Sequence, residues 1–225
     1  MQKPELIYCA AGNKRFAKIA IDAGFTYGAQ IPNKVHYPIE FADQDWEKPD
    51  LTKYLNSIKE HKPRLATVLD FEQIDQFDEV LMWAETIAPY VETIIIIPKC
   101  FGGIAMLPNK IKGKEVRLGY SVPTRYGGTI VPFREFGDWP VHLLGGSPKK
   151  QRRLTSFLNV VSLDGNYHQL MATKFNTYFD SRITWQRLDE TIGNVKKDAP
   201  YKAFELSCEG IMSMWNNDTE MVWGY

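Results

Sequence analysis

The chain has 225 residues, 44% of them hydrophobic, which suits one large globular domain with a substantial core. Lysine plus arginine and aspartate plus glutamate number 27 each, so the formal net charge is zero, which argues against a protein that coats DNA. The three cysteines, Cys9, Cys100 and Cys208, lie far apart without a Cys-x-x-Cys pair, which argues against a structural zinc site and a disulfide framework.

Apolar segments and helical patterns alternate from the start of the chain. Leu6–Ala10 predicts a strand, and the stretch from Arg15 to Ala23 predicts a helix that Asn13 caps. The apolar run Thr93–Pro98 is rich in β-branched residues and has no polar alternation, which is typical of a strand covered on both faces in a parallel sheet. Further helices are predicted over residues 51–61, 77–88, 148–158 and 201–215.

Eight strands are predicted in all, and they alternate with helices or long loops. Their centres lie near residues 7, 28, 41, 67, 95, 118, 143 and 162. This arrangement indicates an α/β protein with a (β/α)8 TIM barrel. An open doubly wound sheet is the main alternative, but no GxGxxG or GxxxxGK[ST] motif follows any strand. We predict one domain over 1–225, with the barrel at about 5–170 and a C-terminal helical extension over 171–225.

Three of the predicted strands end on or beside a carboxylate: Asp43, Asp70 and Asp164. Because the C-terminal ends of parallel strands gather at one rim of a barrel, these side chains are expected to converge there. Two carboxylates in different environments can act as nucleophile and general acid/base. Each aspartate taken alone is better explained as the N-cap of the following helix. All three together favour a functional site.

Glycine and basic residues recur at the same rim. Gly119 and the pair Gly145–Gly146 lie at strand ends, where they let backbone N–H groups approach a base, sugar or phosphate, although ordinary turns use glycine too. A basic cluster opens the helix predicted from residue 148, and it could hold nucleic-acid phosphates or form a solvated helix face. The candidate nucleic-acid-binding residues are Arg125, Lys149, Lys150, Arg152 and Arg153.

Five segments, in this order, resemble the tRNA-guanine transglycosylase-like superfamily, and most closely its compact DpdA-type branch of phage and bacterial DNA 7-deazaguanine transglycosylases. The resemblance covers about residues 5–170 and is most specific in its last two segments. The segments are FADQ at 41–44, LDFE at 69–72, GYSVPT at 119–124, HLLGGSP at 142–148 and SLDG at 162–165.

The resemblance implies a base exchange in DNA, a modification associated with restriction evasion. An aspartate attacks the anomeric carbon of a guanosine, guanine leaves, and a 7-deazaguanine such as 7-cyano-7-deazaguanine replaces it. Asp164 matches the nucleophile, Asp43 the general acid/base, and Asp70 the residue that reads the guanine edge. The other residues expected to hold the base are Phe71, Gly119, Tyr120, Ser121, Gly145 and Gly146.

The chain departs from the tRNA-modifying enzymes in one respect. Those enzymes carry a zinc site of clustered cysteines and a histidine after the barrel, whereas only Cys208 lies in that region here. The departure favours the DNA-acting branch and predicts neither a metal nor another cofactor. The expected partners are double- or single-stranded DNA and a 7-deazaguanine base.

We also expect a soluble protein of the cytoplasm, or of the host cytoplasm if it is phage-encoded, because neither a signal peptide nor a membrane span is evident. Two other functions fit the same residues. One is a hydrolytic nucleosidase or glycosidase that uses water in place of the incoming base. The other is a non-catalytic barrel that binds nucleic acid.

Overall fold

The computed structural model describes residues 3–124, 127–188 and 198–217, and over these residues eight parallel strands form a closed barrel. The barrel closes because the strand Thr93–Pro98 pairs with the strand Lys114–Ser121. The strand Glu5–Cys9 pairs with Thr26–Gln30 on one side and with Val160–Gly165 on the other. This confirms the predicted (β/α)8 TIM barrel and its eight strand positions. In chain order the strands are β1 (Glu5–Cys9), β2 (Thr26–Gln30), β3 (Phe41–Asp43), β4 (Leu65–Phe71), β5 (Thr93–Pro98), β6 (Lys110–Ile111), β7 (Lys114–Ser121), β8 (Val141–Leu144) and β9 (Val160–Gly165), with β6 antiparallel to β7 and outside the barrel wall.

The helices surround the barrel unevenly. They are α1 (Lys14–Asp22), α2 (Leu51–His61), α3 (Phe77–Ile87), α4 (Phe133–Phe136), α5 (Pro148–Leu154), α6 (Tyr167–Phe175) and α7 (Ala199–Asn216). Two crossovers within the described residues carry no α-helix, namely 31–40 between β2 and β3, and 99–113 between β5 and β7. Helix α5 ends at Leu154 rather than at the predicted residue 158, because the chain tightens there into i to i+3 hydrogen bonds.

The C-terminal extension contains a hairpin that its sequence did not predict. Strands β10 (Thr177–Phe179) and β11 (Trp185–Arg187) pair antiparallel between α6 and α7. Helix α7 packs against α1, α6 and β10, so it covers the outside of the barrel beside the helices that follow β1 and β9. Gly210 permits this approach, since a Cβ atom there would lie 2.1 Å from the Phe179 carbonyl oxygen. Over the described ranges, no helix is long and apolar enough to cross a membrane.

Alternate residues of the strands point into the barrel, where the apolar floor is small. It is formed by the cluster of Ile7, Cys9, Phe41, Leu65, Ile95 and Ile97. The larger apolar core lies between the strands and the helices. The floor occupies the middle of the barrel, so inward residues at the C-terminal ends of the strands are left facing an open mouth.

Gly119 on β7 fits tightly against this floor and provides a test of its packing. A Cβ atom there would lie 2.5 Å from Ile97 Cγ1 and 2.9 Å from Leu144 Cδ1. We expect Gly119→Ala to lower the free energy of unfolding by roughly 1–3 kcal/mol, because the interior has to shift to admit the methyl group. Urea denaturation measures the effect.

Gly165→Ala is the matched control, since a Cβ atom there meets nothing closer than 3.5 Å. Equal stability of the Gly119→Ala variant and the wild type would contradict the packing described for β7.

Candidate active site

A cavity of about 290 Å³ opens at the C-terminal end of the barrel, and all three predicted carboxylates line it. Asp43 comes from β3, Asp70 from β4 and Asp164 from β9. The barrel thus brings together residues from distant parts of the chain, as the strand-end pattern predicts. The remaining lining residues are Gln44, Trp46, Ile97, Lys99, Ser121, Val122, Thr124, Gly127, Gly128, Leu144, Gly145 and Gly146.

Asp164 is held in place by donors on β8 and on the loop that follows it. Its Oδ1 atom lies 3.3 Å from His142 Nε2 and accepts a 3.4 Å hydrogen bond from the Gly145 N–H. The Gln151 amide donates to the carbonyl oxygens of both Asp164 and Gly145, at 2.7 and 2.8 Å, and ties the two strand ends together. The side chain of Asp164 is 11% exposed, so it is enclosed but still reachable from the cavity.

A chain of polar contacts extends below Asp164 into the barrel. The Arg117 guanidinium donates to Ser162 Oγ at 3.0 Å, and Ser162 Oγ lies 2.8 Å from His142 Nδ1. Ser162 Oγ accepts from the guanidinium, which can only donate, and its own hydroxyl hydrogen can be directed to Nδ1. An ionised Asp164 carboxylate can only accept, so its contact with His142 calls for the hydrogen on Nε2.

Asp43 occupies a different environment on the other side of the cavity. Its Oδ1 atom accepts a hydrogen bond from the Thr67 hydroxyl at 2.9 Å, and that hydroxyl oxygen accepts from the Gln44 N–H at 2.9 Å. Burial and then repulsion from Asp164 raise the pKa of Asp43 to about 8, although part of its surface faces the cavity. Asp43 is therefore mostly protonated at neutral pH.

The thiol of Cys9 lies beneath both carboxylates and reports their proximity. Burial, followed by the negative charges of Asp164 and Asp43, raises its pKa well above the usual range. Cys9 therefore stays a neutral thiol in the floor of the site rather than a reactive thiolate.

Asp70 is paired with a cation that the sequence did not single out. The Lys99 ammonium contacts the Asp70 carboxylate and lies 3.5 Å from Glu72 Oε1. Burial raises the pKa of Asp70, and the contact with Lys99 opposes that rise. Lys99 directly follows β5, so the strand-end pattern could have predicted that it lies at the same rim.

Other residues occupy the N-cap positions of the helices, so capping does not explain the three aspartates. Asp50 caps α2 by accepting from the Lys53 N–H at 3.0 Å. Gln73 is at the N-cap position of the 3-10 helix Ile74–Gln76 after β4, and Asn166 is at that of α6. Asp43, Asp70 and Asp164 instead face the cavity.

Three of the residues expected to hold a base also line the cavity, namely Ser121, Gly145 and Gly146. Gly146 adopts φ +87°, and a Cβ atom there would lie 2.7 Å from Val122 Cγ1. The loop after β8 can therefore take this path only with glycine. Gly119 lies in the barrel interior beneath the cavity.

Phe71 and Tyr120 do not face the cavity, although they were predicted to contact the base. Each adjoins an inward-facing residue on its strand, so its own side chain points outward to the helices. The Phe71 ring packs 6.0 Å from that of Phe77, and the Tyr120 ring packs 5.5 Å from that of Phe136, centroid to centroid.

The basic residues predicted to bind nucleic acid divide into two sets along α5. Lys149, Lys150 and Arg153 are exposed, whereas the Arg152 guanidinium stacks over the Trp215 ring at 4.9 Å. Arg152 therefore joins α5 to α7 and does not face the mouth. The prediction for Arg125 lies outside the described residues.

Gln44 is a further cavity residue to which the sequence assigned no role. It is 2% exposed, and its Oε1 atom has no hydrogen-bond partner in the part of the chain that the structure describes. It can accept a hydrogen bond from a ligand in the cavity. Among the described residues, no three His, Cys, Asp or Glu side chains are grouped so that they could hold a metal ion.

The chain belongs to a protein family of unknown function, DUF6610, whose model matches residues 20–216. The matched segment contains Asp43, Asp70 and Asp164. No curated protein matches the chain. The chemistry of the cavity is therefore the basis for inferring what the protein does.

The raised pKa of Asp43 predicts how stability depends on pH. Folded Asp43 keeps its proton up to about pH 8, whereas the aspartate of the unfolded chain ionises at about pH 3.9. Its favourable contribution is complete below about pH 4 and is lost as the pH rises through 8. Between pH 4 and 8.5 we expect the wild type to lose more than about 1.4 kcal/mol of stability, the value of one pKa unit, relative to Asp43→Asn, whose side chain does not titrate.

Urea denaturation across this range measures the difference. Asp45→Asn is the control, because the Asp45 carboxylate accepts from the Glu47 and Lys48 N–H groups in a turn outside the cavity. A stability difference between Asp43→Asn and the wild type that does not change with pH would contradict the environment described for Asp43.

Proposed function

We propose that the protein is a DNA guanine transglycosylase, which exchanges guanine for a 7-deazaguanine base through a covalent aspartyl-glycosyl intermediate. The observation that carries the proposal is the pairing in one cavity of Asp43, whose pKa is about 8, with Asp164, which accepts hydrogen bonds from His142 and Gly145. Two carboxyl groups in such different environments suit the roles of acid and nucleophile.

In the first half of the reaction, an Asp164 oxygen attacks C1′ of the deoxyribose while the bond from C1′ to the guanine nitrogen breaks. Asp43 gives its proton to the departing guanine, which leaves as a neutral base. The result is an ester between Asp164 and the sugar, with Asp43 ionised.

In the second half, the ionised Asp43 takes the ring N–H proton of the incoming 7-deazaguanine. The freed nitrogen attacks C1′, the ester to Asp164 breaks, and both carboxyl groups return to their starting states. Asp43 thus gives one proton to guanine and regains one from the incoming base, so the protons balance and no other reactant is needed.

His142 and Gly145 position the nucleophile throughout. Their N–H groups contact the same oxygen of Asp164, which fixes the orientation of the carboxylate and accommodates its charge each time the ester breaks. Ser162 and Arg117 hold the His142 ring in the tautomer that donates to Asp164. They act through His142 and are positioning residues.

The pair of Asp70 and Lys99 suits the recognition of both bases. A carboxylate accepts hydrogen bonds from the ring N–H and exocyclic amine of guanine, and an ammonium donates to a carbonyl oxygen. A 7-deazaguanine keeps this edge unchanged, so one set of contacts serves the leaving and the incoming base. The cavity of about 290 Å³ suits a single nucleotide, so the target base has to leave a duplex stack before reaction.

The proposal is tested by incubating the protein with a guanine-containing oligonucleotide and labelled 7-cyano-7-deazaguanine. We expect label in the DNA and one guanine released for each base incorporated. Asp164→Asn should reduce incorporation by on the order of 10³-fold or more, since it removes the nucleophile. Asp45→Asn, with the same change of charge outside the cavity, should retain wild-type incorporation.

Each contrary result has a distinct meaning. Guanine release without incorporation would show a hydrolase that uses the same acids. Undiminished exchange in Asp164→Asn would overturn the assignment of the nucleophile, and binding of DNA with neither release nor incorporation would identify a non-catalytic barrel.

A further inference from the structure

A second cavity, of about 350 Å³, lies outside the barrel wall next to the mouth, between β7 and helix α5. We call it the outer groove. It is mainly apolar, and charged side chains occupy only its rim. The residues that define it are Tyr120, Val122, Phe133, Phe157, Lys150 and Arg153.

Two aromatic rings form one wall of the outer groove. Phe133 and Phe157 stack with centroids 5.2 Å apart and an interplanar angle of 16°. Phe157 is 52% exposed and Phe133 36%, although the core lies directly behind them. A paired, solvent-facing aromatic surface beside a cavity is typical of a binding site. Flat apolar rings are suited to another ring.

Two cations from α5 stand at the rim of this wall. Lys150 donates one hydrogen bond to the Pro123 carbonyl at 3.3 Å and has further N–H donors. The Arg153 guanidinium has no ion pair within the described ranges. An aromatic platform combined with a basic rim is the arrangement by which proteins hold single-stranded nucleic acid.

The outer groove adjoins the catalytic cavity. Val122 lines both, and Gly146 of the catalytic cavity packs against Val122. A chain whose target nucleotide enters the mouth therefore has its neighbouring nucleotide beside the outer groove.

We infer that the outer groove binds the base of the nucleotide next to the target, stacked against Phe157, with the connecting phosphates on Lys150 and Arg153. The inference deepens the proposed function and rests on it for the nucleic acid at the mouth. A base in the groove is no longer stacked in a duplex, so the preferred substrate is an unstacked or single-stranded segment.

Fluorescence anisotropy with a short single-stranded DNA, one guanine flanked by thymines, tests this without any base exchange. We expect Phe157→Ala to weaken binding about fivefold or more, the effect of losing one base–aromatic stack. Phe175→Ala is the matched control, because Phe175 is 58% exposed at the end of α6 and should not affect binding. Arg153→Gln should weaken binding and reduce its salt dependence, whereas its neighbour Arg152→Gln, which faces Trp215, should do so much less.

A substrate lacking one base locates the contact. Replacing the thymine on one side of the guanine by an abasic site should weaken binding to the wild type about fivefold or more and leave the affinity of Phe157→Ala unchanged. Equal losses in both proteins, no loss in either, or no binding of any oligonucleotide would overturn the inference.

These outcomes are separable from failure of the proposed function. Groove-dependent binding without incorporation of labelled base would refute the exchange reaction alone. Exchange on DNA that is insensitive to Phe157 would refute the groove alone.

Discussion

Closure of the parallel sheet between β5 and β7 is the constraint on which the rest of the structure depends. Once the sheet is closed, the register of the strands fixes which residues are neighbours, and Ile7 of β1 pairs with Asp164 of β9. Strands β3, β4 and β9 then end at one mouth, where their aspartates face the same cavity. A shift of one residue in any of these strands would turn its carboxylate outward into the helices.

The interior that closure creates also makes the two acids different. On one side, a chain of polar contacts from Arg117 through Ser162 to His142 directs an N–H group at Asp164. On the other, Asp43 accepts from the Thr67 hydroxyl and the Gln44 backbone, and the charge of Asp164 faces it across the site. Burying polar groups without partners is costly, and here each member of the chain satisfies the next. The roles of acid and nucleophile that we propose for Asp43 and Asp164 thus follow from the lining of the barrel.

The sequence was sufficient to predict the barrel and the three converging aspartates, because strand period, apolar runs and strand-end positions are local signals. It was not sufficient for contacts that depend on register. The pairing of Lys99 with Asp70 and the contact of His142 with Asp164 join different strands. The outward direction of Tyr120 follows from simple alternation once Ser121 is placed inward. The β10–β11 hairpin was missed because its strands are only three residues long and β10 packs on α7, a contact that the local sequence does not reveal.

The central claim is that Asp164 forms a covalent bond with the sugar, and trapping that intermediate tests it most directly. The protein is mixed with a guanine-containing oligonucleotide without an incoming base, quenched in acid, digested and mapped by mass spectrometry. We expect a nucleotide adduct on the peptide that contains Asp164, lost when labelled 7-deazaguanine is added before the quench and absent from Asp164→Asn. Guanine release without an adduct, or an adduct on a different residue, would contradict it.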